Sequence, residues 1–235
     1  MKKLLVVILA ASFANGALLA DDGWQISIGA HMSKFKVSSG RDSESEKNTS
    51  LSIAIGKEIM KTDSGNLLLE LSFMTPEKWE YSESYKEKEY VSGSYYYNYS
   101  GSGSVKAEMK MALFANLYYQ FNTAVAGLKP YLGAGLGLAS LKYSWSGSGS
   151  GIYCNYLYGG YSCEDYDDSD GYSKTAKAVA YQLALGADYF FNKNIALGLG
   201  YGYRNYGSIE IGEDYDKTDI EVKSSGVFGK LTFRF

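Results

Sequence analysis

The sequence is poor in several residue types that would open other functions to it. It holds one histidine and two cysteines in 235 residues. The cysteines have no histidine near them, so a four-ligand zinc site lacks its ligands. Basic residues do not outnumber acidic ones, with 23 Lys and Arg against 26 Asp and Glu, which removes the electrostatic reason to expect a nucleic-acid partner. After residue 20 no apolar run approaches the roughly 20 residues a membrane helix needs. Only two prolines interrupt the chain, nothing reads as an interdomain linker, and no motif asks for a cofactor.

What is abundant points to strands. The 27 glycines and 23 tyrosines make a composition of extended segments, tight turns and aromatic surfaces rather than helices. The chain opens Met1-Lys2-Lys3, continues with an apolar run over residues 4–14 and then small residues, the pattern of a secretory signal peptide. That run is too short to span a membrane. Cleavage is expected after Ala20, with Ala17 as the alternative because Leu18 at −3 is large. The division expected is therefore 1–20 signal peptide and 21–235 a single barrel domain. Loss of Lys2 and Lys3 leaves 21 basic residues against 26 acidic.

Strict alternation then recurs along the chain. Trp24, Ile26, Ile28, Ala30 and Met32 share one face of the first strand, against Gln25, Ser27, Gly29, His31 and Ser33. The second sets Leu51, Ile53 and Ile55 against Ser50, Ser52, Ala54 and Gly56; the third sets Leu67, Leu69, Leu71 and Phe73 against Leu68, Glu70 and Ser72. The fourth, from Met109 and Met111 to Phe121 against Lys110 to Gln120, covers the ~9–11 residues of a tilted membrane strand. In the second half the opposite face shrinks, as where Leu132, Ala134, Leu136 and Leu138 oppose Gly133, Gly135, Gly137 and Ala139. An eight-stranded barrel is filled by its own side chains, so bulk from some strands demands glycine from others. Strands over 179–189, 195–204 and 230–235 complete eight, with ten as the alternative.

Connections alternate in length. Those at 61–66, 122–129 and 192–194 are short; those at 36–48, 75–104, 146–175 and 207–220 are long and polar, which matches short periplasmic turns and long external loops. With strand directions set by that alternation, Trp24, Tyr119, Phe121, Tyr189, Phe191, Phe233 and Phe235 fall at the periplasmic end. Tyr201 and Tyr203 fall toward the outer end, as two interfacial girdles would.

Three segments carry a family resemblance: Lys129-Pro130-Tyr131-Leu132-Gly133-Ala134-Gly135-Leu136-Gly137, the strand from Gly198 to Tyr203, and the close Gly229-Lys230-Leu231-Thr232-Phe233-Arg234-Phe235. The chain resembles the small outer-membrane barrels of the opacity-type surface antigens and the OmpA transmembrane domain, without the periplasmic peptidoglycan-binding domain of the latter. The resemblance implies an all-β, transmembrane, antiparallel up-and-down barrel in the outer membrane of a Gram-negative bacterium. It also implies contact with outer-membrane lipid and lipopolysaccharide, and delivery by periplasmic chaperones to a barrel-assembly machinery that reads Leu231, Phe233 and Phe235.

The residues with chemistry divide into three groups. Inward charges are expected at Glu70, Asp188, Lys230 and Arg234 in the periplasmic half and at Lys110 and Arg204 nearer the outside; buried charges must pair, which reads as a salt-bridged plug, or alternatively as a gated ion path. His31 and Ser33 form a His-x-Ser that resembles outer-membrane lipid A deacylases, but no acidic partner stands at a fixed spacing, and inert polar lumen residues are the plainer reading. Cys154 and Cys163, nine residues apart in an exported protein, are expected to close a disulfide. The long connections carry Tyr95, Tyr96, Tyr97, Tyr99, Tyr153, Tyr156, Tyr158 and Tyr161 among Gly and Ser, a composition that suits binding loops, and equally strands that rise above the membrane and pack tyrosine on tyrosine. The function expected is non-catalytic: a structural or surface-interaction protein, with a small pore as rival and a lipid-modifying enzyme behind it.

Overall fold

The structure, a computed structural model, describes residues 23–235 apart from 41, 92–94, 158–159 and 212–216, with side chains omitted at 85, 87–91, 95–97, 155–157 and 160–161. The expected signal peptide and its cleavage site lie outside the described residues. Nine strands follow one another: β1 (Trp24–Ser39), β2 (Asp42–Lys61), β3 (Gly65–Met74), β4 (Glu77–Val91), β5 (Tyr95–Phe121), β6 (Leu128–Leu157), β7 (Gly160–Phe190), β8 (Ile195–Ile211) and β9 (Thr218–Arg234). All neighbours pair antiparallel, and β3 bonds to both β2 and β5, which closes a ring of eight.

Nine strands make eight walls because β3 and β4 are one wall interrupted at Thr75-Pro76. Both pair with β5. Proline has no N–H to give a ladder, and above it the wall leaves β2: β4 bonds to β5 alone, while β2 from Asp42 to Leu51 has a strand partner only in β1. Side chains bridge the gap in place of a ladder. The Asn48 amide donates to the Lys78 carbonyl at 2.6 Å and accepts from the Lys78 N–H at 3.1 Å, and Glu46 accepts from the Glu80 N–H at 3.2 Å.

A second seam opens on the other side. The β7–β8 ladder stops at Tyr181 and Asn205, where β8 carries a bulge between Asn205 and Ser208 and Gly207 takes a positive φ of 88° that favours glycine. Above the two seams the ring becomes two four-stranded sheets, β4-β5-β6-β7 and β2-β1-β9-β8. Between them packs an apolar core: Phe35, Val37, Tyr206, Ile209, Ile220 and Val222 from the shorter sheet meet Met109, Phe114, Leu141 and a set of alanines from the taller. The molecule is thus a barrel below and a short sandwich above.

Below the seams the alternation expected from sequence holds. Leu136 and Leu199 are 69% and 67% exposed while Gln25, Asn116 and Gln120 are buried, so apolar residues face out, where only lipid can cover them, and polar ones face in. The glycines fit as expected: a Cβ at Gly198 would meet Lys230 Cγ at 2.8 Å, and one at Gly200 would meet the Phe228 ring at 2.6 Å.

Two sequence expectations change. The long connections are mostly strand: 36–48, 75–104, 146–175 and 207–220 are largely taken up by the upper reaches of β1, β2 and β4 to β9. Lys110, expected in the lumen, is exposed. A bulge between Met109 and Met111 shifts the register of β5 against β6, so Met109 turns into the core while Lys110 and Met111 stay outside.

Candidate functional site

The lower lumen holds layers of polar contacts around a small buried cluster of Leu68, Tyr118, Tyr131 and Phe228. At the end carrying the short turns, Arg234 Nη2 lies 2.8 Å from Glu58 Oε2, which also accepts from Asn66 Nδ2 at 2.9 Å, and Lys61 lies 3.0 Å from Glu58 Oε1. One layer up, Lys230 Nζ pairs with Asp188 Oδ2 at 3.2 Å and sits 4.4 Å from the centre of the Tyr131 ring, while Gln120 donates to Asp188 at 2.9 Å. Above that, Asn116 donates to Ser72 at 2.9 Å and to Glu70 at 3.5 Å, and also accepts from Gln182. Arg204 donates to Gln182 and contacts the His31 ring. Of the six lumen charges expected, the structure brings in Glu70, Asp188, Lys230, Arg204 and Arg234 and leaves out Lys110.

Two carboxylates were missed. Glu58 was legible, since Ser50, Ser52, Ala54 and Gly56 continue in steps of two to it. Glu77 was not, because it sits past Pro76 in a stretch read as loop. It is 1% exposed and accepts hydrogen bonds from Ser33 at 3.0 Å, Ser50 at 2.8 Å and Tyr206 at 3.2 Å. Three hydroxyl donors stand in for a cation there, directly under the apolar core.

His31 and Ser33 both face the lumen but serve different partners. His31 Nε2 is 2.8 Å from Ser52 Oγ, and its other nitrogen meets Arg204; Ser33 bonds to Glu77. Neither is placed to activate the other. The enclosed space in the lumen is a cavity of about 40 Å³ between His31, Glu70, Arg204 and Lys230. That suffices for a few waters. The apolar core separates it from the space above.

The taller sheet continues well past the sandwich. The β6–β7 ladder runs from Leu128 and Tyr189 to Leu157 and Gly160, so about twenty residues of each strand stand above the lipid-facing band, or roughly 60 Å at ~3.3 Å per residue before tilt. One face of this sheet is serine, with Ser102 bonded to Ser148 at 3.0 Å and Ser104 to Ser146 at 2.9 Å. The other carries Gly103, Gly147 and Gly149, flanked by Tyr81, Tyr143 and Trp145. A Cβ at Gly151 would meet the Tyr99 ring at 3.3 Å, so glycine lets Tyr99 lie flat on β6. Tyr153 is exposed. The side chains of Tyr95, Tyr96, Tyr97, Tyr156, Tyr158 and Tyr161 lie outside the described residues. Cys154 and Cys163 are directly opposite each other and bridged. On this upper part, Lys78 holds the Glu80 carboxyl below its usual range, and Lys223 does the same for Glu221, in each case chiefly by a hydrogen bond.

At the chain end, Leu231 is exposed on the outward face that Phe233 shares, and the Phe235 N–H donates to the Trp24 carbonyl at 2.9 Å. Tyr119 with Phe121 and Tyr189 with Phe191 pack edge to face at 4.8 Å and 5.2 Å, which builds the lower aromatic ring. Tyr181 and Tyr203 meet at 6.2 Å near the upper one.

A family model agrees with this architecture. The family model described as outer membrane protein beta-barrel domain matches residues 4–228. No curated protein matches the sequence. Among solved structures the chain is similar to Neisserial surface protein A, at 19% identity and a TM-score of 0.43 over 91% of this chain and 97% of that one. It is also similar to Ail, the attachment invasion locus protein of Yersinia pestis, at 13% and 0.37 over 90% and 99%, and to OprG of Pseudomonas aeruginosa, at 13% and 0.40 over 91% and 97%.

Proposed function

The chain belongs to the outer-membrane protein β-barrel family and resides in the Gram-negative outer membrane, and from that premise we propose that it is a non-catalytic surface-interaction protein whose business end is the tall sheet. The observation that carries this reading is the unequal height of the two sheets. A barrel needs ~9–11 residues per strand to cross the membrane, yet β5, β6 and β7 run to 27, 30 and 31 residues. Strand that long has no use in lipid and presents an ordered surface to the outside. The filled lumen and the apolar core across its outer end speak against a pore, and the separate partners of His31 and Ser33 speak against catalysis.

The partners that follow are outer-membrane lipid, periplasmic chaperones and the barrel-assembly machinery, and a ligand met by the tall sheet. Leu231, Phe233 and Phe235 are assigned to the assembly step; deletion of Phe235 should lower the yield of folded protein in outer membranes, and normal yield would remove that role. To test the main reading, residues 146–171 are replaced by a two-residue turn. The barrel should fold unchanged, cells should lose the adhesion the protein confers, and purified protein should give no stable conductance in planar bilayers. Adhesion retained by the shortened protein, or a stable large conductance from the intact one, would overturn it.

A further inference from the structure

The serine face of the tall sheet points away from the shorter sheet, because the other face holds Met109, Leu141 and Tyr143 against the apolar core. Downward it runs into the lipid-facing wall of Leu113, Leu138 and Val179. A second copy standing beside this one in the same membrane would meet that face, with both copies the same way up.

The ladder register lays this face out in rows from β4 to β7. One row is Lys86, Ser100, Ser150 and Asp167; below it comes Ser84, Ser102, Ser148 and Ser169, and then Ser82, Ser104, Ser146 and Gly171. Lower still lie Glu80, Lys106, Ser144 and Ser173, and after them Lys78, Glu108, Lys142 and Thr175. Among the described residues, the ion pairs on this face are Lys78 with Glu80 and Lys106 with Glu108. Lys86 and Asp167, exposed at opposite edges of their row, take part in none.

The charges of these rows are matched to themselves by one symmetry. A two-fold axis along the strands, between β5 and β6, sets β4 against the β7 of a second copy and β5 against its β6, as in an isologous dimer. Lys86 then faces the partner's Asp167 and Glu108 faces the partner's Lys142, each of them twice. The remaining charges face hydroxyls, with Lys78 on Thr175, Glu80 on Ser173 and Lys106 on Ser144. No two like charges meet, which is the complementarity an interface requires. An axis across the strands through the Ser104 row would instead set Lys86 against Lys78. Between the charged rows no side chain is larger than that of serine, so two such faces can close on each other. Where Ser102 bonds Ser148 at 3.0 Å and Ser104 bonds Ser146 at 2.9 Å, one O–H is used within the sheet and the other is left to donate across it. Serine and glycine pack little within a single sheet, and stacking is what stabilises flat sheets of that kind. The five rows cover roughly 600 Å² per copy, at ~4.8 Å between strands and ~3.3 Å per residue, and two copies reach the ~1,200 Å² at which specific interfaces begin.

We propose that the serine face joins two copies of this chain side by side in one membrane, about a two-fold axis along the strands, with Lys86 of each copy against Asp167 of the other. The opposite face, with Tyr81, Tyr143 and Trp145, stays open on both copies and points outward from the dimer. This holds whatever that open face meets, so its failure would leave the surface-interaction reading untouched.

The test reconstitutes the full barrel in lipid vesicles, carrying donor or acceptor dye at Lys193→Cys on a short turn, and follows energy transfer as added lipid dilutes the protein. Wild type should keep its transfer at densities where randomly mixed monomers show none. Lys86→Asp and Asp167→Lys should each raise the dimer dissociation constant at least about tenfold, since repulsion replaces attraction at two exposed pairs. The two variants mixed together should pair as tightly as wild type, because each supplies the charge the other lacks. Cysteines at Ser102 of one copy and Ser148 of the other should be joined by a short bismaleimide on intact cells, and cysteines at Tyr172, on the opposite face, should not. Heat-dependent gel mobility reports folding for each variant. A monomeric wild type, single variants that pair as well as wild type, a mixture that pairs no better than its components, or cross-linking through position 172 would overturn the proposal.

Discussion

The lower barrel and the upper sheets are built from the same strands under different rules. In lipid every backbone N–H and C=O must find a protein partner, so the ring has to close, and no seam occurs below Pro76 and Asn205. Above the membrane water satisfies an unpaired edge, and the ring divides at once into two sheets. The interior changes with it. Below, the wall faces lipid and the middle is polar; above, the wall faces water and the middle is the apolar core around Phe35, Phe114 and Tyr206. The same alternation in sequence therefore means opposite things on the two sides of one boundary, and the solvent outside decides which.

The contrast is sharpest for charge. Lys230→Ala leaves Asp188 buried without its cation, which should cost about 3–5 kcal/mol, seen as a lower urea midpoint for the folded, heat-modifiable form. A barrel as stable as wild type would mean water reaches that layer. At the junction, Leu141→Ala opens a gap between the two sheets and should cost about 2–5 kcal/mol of their packing. Its effect should appear as faster external proteolysis of β4 and β8 while the lipid-embedded strands stay protected; uniform loss of protection would show that barrel and sandwich melt as one unit.

Smaller effects lie further out. Replacing Cys154 and Cys163 by serine removes a local constraint of about 2–3 kcal/mol on the loop-entropy account, and should speed cleavage near residues 155–162 without moving the urea midpoint. A shifted midpoint would tie the apex to the barrel. Lys78→Ala breaks a pair whose members are 52% and 46% exposed and should leave the urea midpoint where it is, because an exposed ion pair contributes little. A loss comparable to that of Lys230→Ala would erase the distinction between the two regions.

How far the sequence spoke also followed that boundary. Trp24 to Met32 and Leu132 to Leu138 announced their strands because one face had to be apolar for lipid and the other polar or small. That contrast fades in Ser100-Gly101-Ser102-Gly103-Ser104 and in residues 144–151, where neither face needs an apolar residue, so strands there read as loop. Glu77 was hidden for the same reason, and Lys110 was misplaced because a one-residue bulge inverts the faces on its far side and leaves no signature in composition. The disulfide was legible from spacing and compartment alone; the sandwich core was not, since Phe35 and Val37 share a face with His31 and Ser33 and only the seams reveal what they meet.

The bridge between Cys154 and Cys163 also acts on spelling. Along β5 and β6 the letters repeat every two residues, Ser over Ser and Gly over Gly, and a ladder of identical rungs can be misaligned by one repeat without any side chain noticing. The lower ends of these strands are held in place by the barrel, but their upper ends are far from that anchor. The bridge joins β6 to β7, where the facing residues differ from rung to rung, so it holds β6 in place at its far end and offers β5 one fixed edge to align on. A covalent pin at the apex thus does for the upper end of β6 what the closed ring does for the lower.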